Sequence, residues 1–127
     1  MQKMSLSDMV FVVERGYKML EMREKVYISG KITGTKKYLR KFARVERKLK
    51  RAGYIPYNPA RINAGMPKET NWYQYMEVSM VILKQCGSIF MMDSWTDSKG
   101  ATMEREEAIK RRMKIYDMSI FEREKKQ

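Results

Sequence analysis

Residues 88–104 read SIFMMDSWTDSKGATME, and the organisation of the whole chain can be inferred outward from them. The apolar run at residues 88–92 has the length and bulk of a buried strand, and it ends abruptly in a polar loop. After Gly100 the pattern becomes helical, with Ala101 and Ala108 on one side and charged residues on the other. A strand, a short loop and a helix in this order are typical of α/β proteins.

Glu104 falls in the first turn of this predicted helix. A carboxylate in a first turn is held in its anionic form by the positive end of the helix dipole and by free backbone N–H groups. Such a group suits a nucleophile, but acidic residues are also common at ordinary helix starts, so position alone leaves both interpretations open.

A second unit of the same kind lies nearer the start of the chain. Residues 25–29 are rich in β-formers, and a glycine-containing loop follows them at residues 30–35. Apolar residues then recur at helical spacing up to Gly53. The loop can present backbone N–H groups to an anion, although its glycine spacing matches neither a P-loop nor a dinucleotide fingerprint, and a plain turn is equally compatible.

The remaining pattern predicts a strand at residues 54–57, a loop at 61–70, a helix at 71–85 and a last strand at 113–116. Alternating strands and helices predict a doubly wound α/β fold, flavodoxin-like or Rossmann-like, whose parallel sheet has four to five strands with helices on both faces. Ligands of such folds bind outside the carboxyl ends of the strands, where the loops at residues 29–35, 58–72 and 93–100 should meet.

A chain of 127 residues is large enough for one core and too small for two. We expect residues 25–117 to form the domain, residues 118–127 a charged tail, and residues 1–24 an added N-terminal helix that packs on the domain or on a second subunit. No apolar run approaches the roughly 20 residues that a bilayer crossing needs, and no signal-peptide pattern is present, so we expect a cytoplasmic protein without a membrane partner.

The residue types that are missing narrow the chemistry. The chain has no histidine, which excludes Ser-His and Cys-His catalysis and every histidine-based metal site. The single Cys86 has no partner for an internal disulfide and is expected to be buried. Acid–base or covalent work therefore falls to carboxylates, tyrosines or lysines.

The formal charge of +12 is concentrated in one segment. Between residues 31 and 61 the chain has eleven Lys or Arg residues and one acid, Glu46, which is a local excess of ten positive charges. This excess can attract the phosphate of a nucleotide or of a nucleic acid, or it can be a solvated helix face.

Several motifs together resemble a known family. They are VYISGKITG at residues 26–34, Gly53-Tyr54, Asn58-Pro59, Trp72 with Tyr75-Met76, and Trp95-x-x-Ser98-x-Gly100-Ala101-x-x-Glu104. In this order they resemble a domain of unknown function that is common in phage and bacterial genomes and is similar to nucleoside 2-deoxyribosyltransferases and to the related nucleotide N-glycosidases. The resemblance covers residues 25–116.

The resemblance implies a nucleophilic role for Glu104, which would attack the anomeric carbon of a ribosyl or deoxyribosyl group and form a covalent glycosyl-enzyme. It implies that the loops contact the substrate, with Tyr27 and the glycine loop facing the sugar or its 5′ substituent and Trp72 or Trp95 stacking on the base. The substrate-binding residues expected in this way are Tyr27, Ser29, Gly30, Lys31, Ile32, Gly34, Asn58, Trp72, Asp93, Trp95, Ser98 and Gly100. No metal and no other cofactor is implied.

Ser98 departs from the deoxyribosyltransferase pattern. Those enzymes carry an aspartate six residues before the nucleophile, whereas the nucleotide N-glycosidases carry a serine there, as this chain does. A carboxylate would repel a 5′-phosphate and a hydroxyl can donate a hydrogen bond to one. Together with the glycine loop and nearby Lys31, Ser98 favours a nucleoside 5′-monophosphate as the substrate. The family often has proline at the position of Lys31, and this departure counts against activity.

Other features of the resemblance leave alternatives open. A second carboxylate near the base cannot be placed, so the leaving-group acid could be Glu77, Asp93, Asp97 or a water molecule. Superfamily members usually complete the pocket with a neighbouring subunit, so we expect a homodimer or a larger homo-oligomer. The leading hypothesis is cleavage or transfer of an N-glycosidic bond. The alternatives are a non-catalytic nucleotide-binding protein, acting in phage defence or counter-defence, and a nucleic-acid-binding module that uses the basic segment at residues 31–61.

Overall fold

The computed structural model describes residues 5–7, 9 and 23–125, and within them it contains one four-stranded sheet. The strands are β1 (Lys25–Ser29), β2 (Ile55–Tyr57), β3 (Ser88–Met91) and β4 (Lys114–Tyr116). They lie in the order β2-β1-β3-β4, and all three pairings are parallel. This arrangement confirms the predicted doubly wound α/β fold. The predicted N-terminal helix lies almost entirely outside the described residues.

Helices alternate with the strands along the chain. They are α1 (Tyr38–Arg51), α2 (Pro59–Ala64), α3 (Trp72–Leu83), α4 (Lys99–Lys110) and α5 (Ser119–Lys125), and a 3-10 turn spans Asp93–Asp97. None of the helices in the described part of the chain is long and apolar enough to cross a bilayer. The cytoplasmic location remains a prediction.

The central strand β1 contributes side chains to two separate core layers, because successive side chains of a strand point to opposite faces of the sheet. Val26 and Ile28 pack with the apolar face of α1, which contributes Phe42, Val45 and Leu49. Tyr27 points to the other face and packs with residues of α3 and α4, including Leu83, Ala101 and Ala108. Ser29 is on the same face as Tyr27, so both hydroxyls are directed toward α3 and α4.

Helix α2 corrects the predicted loop at residues 61–70, because its last residues lie within that segment. The side chain of Asn58 accepts a hydrogen bond of 3.2 Å from the backbone N–H of Arg61 and caps the helix. Pro59 occupies the first turn, where its fixed φ suits a helix and its missing N–H costs nothing. Ala60 and Asn63 are buried, so the segment is part of the core rather than a solvated loop.

The predicted charged tail also forms a helix, α5. Met118, Ile120 and Phe121 pack against the core layer that contains α1, and the ring of Phe121 lies 5.5 Å from the ring of Phe90 between centroids. The segment therefore has an apolar face. This face is hard to recognise from the sequence, because the helix is shorter than two turns and its apolar residues are interspersed with charged ones.

Candidate active site

A cavity of about 470 Å³ opens at the carboxyl end of β1. Its walls are formed by the end of β1 and the loop after it, by the start of α1, by α2 and the segment after it, by the first two turns of α3 and by the start of α4. This is the edge of a parallel sheet at which α/β proteins bind their ligands. The predicted meeting of three loops at this edge is therefore found in the structure.

Glu104 of α4 lies in the wall of this cavity and is only 6% exposed. The hydroxyl of Tyr27 donates a hydrogen bond to Oε2 of Glu104, and the hydroxyl of Ser29 donates one of 2.8 Å to Oε1. Each carboxyl oxygen therefore has a donor from β1, and the carboxyl group is held in one orientation against the strand.

The position of Glu104 in its helix differs from the prediction. Helix α4 begins at Lys99 with Ser98 as its N-cap, which places Glu104 in the second turn, where its own N–H is used within the helix. The prediction of a first-turn position is wrong because the helix begins before Gly100 rather than after it. The carboxylate is held by two hydroxyls instead of by free backbone N–H groups.

The protonation of Glu104 differs from the prediction as well. Burial raises its pKa from 4.5 to about 7, and the hydrogen bonds from Tyr27 and Ser29 oppose this rise without cancelling it. Near pH 7 both the neutral and the anionic form of the carboxyl group are therefore populated, instead of the anionic form alone. Burial, followed by the nearby charge of Glu104, raises the pKa of Tyr27 well above its usual value, so Tyr27 acts as a neutral donor.

Two further polar side chains extend the hydrogen-bonded group behind Tyr27. The hydroxyl of Ser79, in α3, lies close enough to Tyr27 to lower the pKa of the phenol, which is the effect of a donor near the phenol oxygen. Nδ2 of Asn63, in α2, donates a hydrogen bond of 3.0 Å to Oγ of Ser79. Both residues are buried and both line the cavity.

Ser98 lines the cavity at the N-terminus of α4. Its Oγ accepts a hydrogen bond of 3.1 Å from the backbone N–H of Ala101, so its hydroxyl proton remains available to a ligand. Beside it, a Cβ on Gly100 would approach Sδ of Met76 to 3.1 Å, which is closer than an ordinary contact. Glycine therefore allows α3 and α4 to approach each other at the cavity wall.

The two tryptophans have different surroundings. Trp72 lines the cavity, and Nζ of Lys99 lies 4.9 Å from the centre of one of its rings. Trp95 packs against the core layer that contains α4, and the guanidinium carbon of Arg105 lies 4.9 Å from its ring. Of the two, the structure brings Trp72 to the cavity.

Most of the predicted site residues meet at the cavity. The lining includes Tyr27, Gly30, Ile32, Trp72, Ser98, Gly100 and Glu104, and Ser29 reaches the site through its hydrogen bond to Glu104.

The other predicted site residues lie outside the lining, and each has a different local environment. Asn58 is the N-cap of α2, and the backbone N–H of Lys31 donates to Oγ of Ser94 at 3.4 Å. Gly34 is exposed in a turn with φ of 73°, Asp93 is exposed at the start of the 3-10 turn, and Trp95 is packed as described above. Their contact with a ligand remains a prediction.

Asn63 could not be identified from the sequence, because nothing in its neighbourhood distinguishes it from other polar residues of a predicted loop. Ser79 is recognisable there only as a polar residue of a predicted helix, without a role. Lys68, Tyr75 and Met76 also line the cavity.

Glu104 is the one carboxylate that lines the cavity within the described residues. Glu77, Asp93 and Asp97, the candidate leaving-group acids, all lie outside the lining, and both aspartates are exposed. Over the same residues, no group of three or more Cys, Asp or Glu side chains is arranged to hold a metal ion.

Comparison with known proteins supports the fold and identifies the family to which the chain belongs. No curated protein matches the sequence. The chain is similar in structure to a 2-deoxyribosyltransferase from the psychrotolerant bacterium Bacillus psychrosaccharolyticus, with 13% identity and a TM-score of 0.59 over 73% of this chain and 70% of that one. The protein is thus an α/β protein with the fold of nucleoside 2-deoxyribosyltransferases, as the sequence motifs predicted.

The sequence shows which family the chain belongs to. The model of the family described as Domain of unknown function (DUF4406) matches residues 24–117, and the chain belongs to this family. The predicted resemblance to a domain of unknown function is confirmed.

Proposed function

We propose that the protein cleaves or transfers the N-glycosidic bond of a nucleoside 5′-monophosphate, with Glu104 as the nucleophile. The observation that carries this proposal is a buried carboxyl group, held by two hydroxyls, in the wall of a cavity large enough for a nucleotide. The fold of a 2-deoxyribosyltransferase is consistent with this chemistry.

The reaction follows from the chemistry of a carboxylate. In its anionic form, one oxygen of Glu104 attacks the anomeric carbon and forms a glycosyl ester, while the bond from that carbon to the base nitrogen breaks and its electron pair leaves with the base. Water then attacks the same carbon and releases the sugar phosphate, or a second base attacks it and completes a transfer. Since no second carboxylate lines the described cavity, the departing base takes its proton from water.

The environment of Glu104 suits this role in two ways. A pKa of about 7 leaves a substantial anionic fraction at neutral pH, while burial leaves the anion weakly solvated and therefore reactive. Tyr27 and Ser29 fix the direction of the carboxyl group, so attack does not require a search over rotamers.

Ser98 and the start of α4 are proposed to bind the 5′-phosphate. The hydroxyl of Ser98 can donate to a phosphate oxygen, and the N-terminus of a twelve-residue helix favours an anion. Lys68, which lines the cavity, supplies a positive charge on another wall.

The test is base release from a panel of nucleoside 5′-monophosphates and the corresponding nucleosides, followed by chromatography. Glu104→Gln should abolish release, and Glu106→Gln, a residue of the same helix that lies outside the cavity lining, should not change it. Binding of a monophosphate without release by the wild type would instead identify a non-catalytic nucleotide-binding protein.

A second candidate function is nucleic-acid binding by α1. Its outward-facing cations include Arg40, Lys41, Arg47, Lys50 and Arg51. The single acid of this helix, Glu46, is buried and forms an ion pair with Arg61, so it does not offset the exposed charge. This candidate predicts binding that weakens steeply with salt and is lost in Arg40→Glu/Arg47→Glu, while Lys114→Glu on β4 serves as the control.

A homo-oligomer is proposed as the form in which the protein acts. Tyr73 and Val81 are 69% and 60% exposed and lie two turns apart on α3, which forms part of the cavity wall. Sedimentation should show a dimer or larger assembly that Val81→Glu weakens. A monomeric wild type would refute this expectation.

A further inference from the structure

The side-chain amide of Asn63 makes a hydrogen bond within the described residues through its nitrogen but not through its oxygen. Nδ2 donates to Ser79, whereas Oδ1 is buried and has no hydrogen-bond partner among the described residues. The residue is only 7% exposed and lines the cavity, so bulk water is largely kept from it. A buried acceptor without a partner is costly and uncommon in native proteins, which indicates that its partner is supplied by something that enters the cavity.

One contact behind this amide indicates its orientation. Nδ2 donates a hydrogen bond of 3.0 Å to Oγ of Ser79, which leaves the proton of that hydroxyl free to point toward the neighbouring Tyr27, whose pKa Ser79 lowers. Oδ1, an acceptor, is thus the free end of the amide.

We propose that Asn63 is a specificity-determining residue, whose Oδ1 accepts a hydrogen bond from an amino or ring N–H group of the substrate base. The proposal rests on the proposed function, in which the anomeric carbon lies against Glu104. Tyr27 and Ser79 contact Glu104 and Asn63 respectively, and all four side chains line the same cavity, so a base attached to that carbon can extend toward Asn63. The site would thus select bases that carry a donor on this edge and discriminate against analogues that lack it.

The experiment measures binding in the Glu104→Gln background by calorimetry, so that no substrate is consumed. Each pair differs by one donor group: AMP with purine riboside 5′-monophosphate, and CMP with 2-pyrimidinone riboside 5′-monophosphate. The donor-bearing member of at least one pair should bind at least about tenfold more tightly. Asn63→Leu should reduce this ratio to near one, and Asn63→Asp, which keeps an acceptor oxygen, should preserve most of it.

Ribose 5-phosphate, which has no base, separates base recognition from a structural role. Its affinity should be the same for the protein that retains Asn63 and for the Asn63→Leu variant. Equal weakening of nucleotide and sugar phosphate by Asn63→Leu would overturn the proposal, as would an unchanged ratio within the pairs.

The outcomes also separate this proposal from the proposed function. A ratio that depends on Asn63, without base release by the wild type, would support base recognition and refute the glycosidase. Base release by the wild type, together with an affinity ratio that Asn63→Leu does not change, would support the glycosidase and refute base recognition by Asn63. A protein that binds none of these nucleotides would overturn both.

Discussion

The hydroxyl of Tyr27 donates a hydrogen bond to Oε2 of Glu104, which joins the middle of β1 to a helix 77 residues later in the chain. Tyr27 is fully buried, so bulk water has little access to this contact. Burial raises the pKa of Glu104, and the hydrogen bond from Tyr27 is the first of the two contacts that lower it. The strand therefore increases the anionic fraction of the carboxyl group at neutral pH, against the larger effect of burial.

Tyr27→Phe should raise the pKa of Glu104 further above its value of about 7, because it removes a donor to the anionic form and leaves the burial unchanged. The acidic limb of the pH profile for base release should move to higher pH, and the rate at pH 7 should fall. Tyr57→Phe is the matched control, since Tyr57 packs in the same core layer but does not line the cavity. A profile that stays in place in Tyr27→Phe would contradict this role.

Glu104→Gln should stabilise the protein above pH 7 and leave its stability unchanged near pH 4. The folded-state pKa of about 7 exceeds the ordinary value of 4.5, so the folded state binds the proton more tightly and loses stability as the pH rises between these values. The full difference is on the order of 3 kcal/mol, and the neutral amide does not experience it. Urea unfolding at pH 4 and pH 8 measures it.

The control for this measurement is Glu106→Gln, which changes a carboxylate of the same helix that is not part of the core. It should change the free energy of unfolding little at either pH. If Glu104→Gln destabilised the protein at pH 8, the carboxylate would be contributing to stability rather than opposing it, and its burial would have to be reconsidered.

The fold could be predicted because its signals are local. The strand at residues 25–29 and the helix that contains Phe42 and Leu49 follow from short apolar periods, and the alternation of such units implies a parallel sheet. Helix α2 could not be predicted in this way. It is shorter than two turns, and its stability comes from the Asn58 cap and from the burial of Ala60, which is a tertiary effect.

The site was predicted in part for a related reason. Glu104 and Ser98 belong to a motif with a fixed spacing, whereas the contact of Glu104 with Tyr27 depends on which face of β1 meets α4. The prediction for the protonation of Glu104 was wrong because a helix dipole can be inferred from sequence position and burial cannot. Asn63 gave no sequence signal, since its importance lies in an oxygen that has no partner among the described residues.

Phe121→Ala should destabilise the protein by about 1–3 kcal/mol, because it removes a half-buried ring that packs on Phe90. Base release per folded molecule should not change, since α5 does not line the cavity. Thermal unfolding compares this variant with Glu122→Ala, which alters an exposed residue of the same helix. An equal, small effect of both substitutions would show that the segment after residue 117 is dispensable.

Ser98→Asp should weaken nucleoside 5′-monophosphates much more than the corresponding nucleosides. Ser98 has two tasks, since it caps α4 through Ala101 and is proposed to donate to the phosphate. Alanine would remove both at once, at a cost of about 1 kcal/mol in helix stability. Aspartate keeps the cap but places a negative charge where the phosphate is expected, so it separates the two tasks.

Ser98→Asn completes this comparison, because asparagine is also a good N-cap and carries no charge. Its amide can donate to a phosphate oxygen, so its preference for monophosphates should stay close to that of the wild type. Affinities for a nucleoside and its monophosphate, measured by calorimetry in the Glu104→Gln background, give the preference of each variant. If Ser98→Asp weakened both ligands equally, the phosphate would bind elsewhere, and Lys68 on another wall of the cavity would be the next residue to substitute.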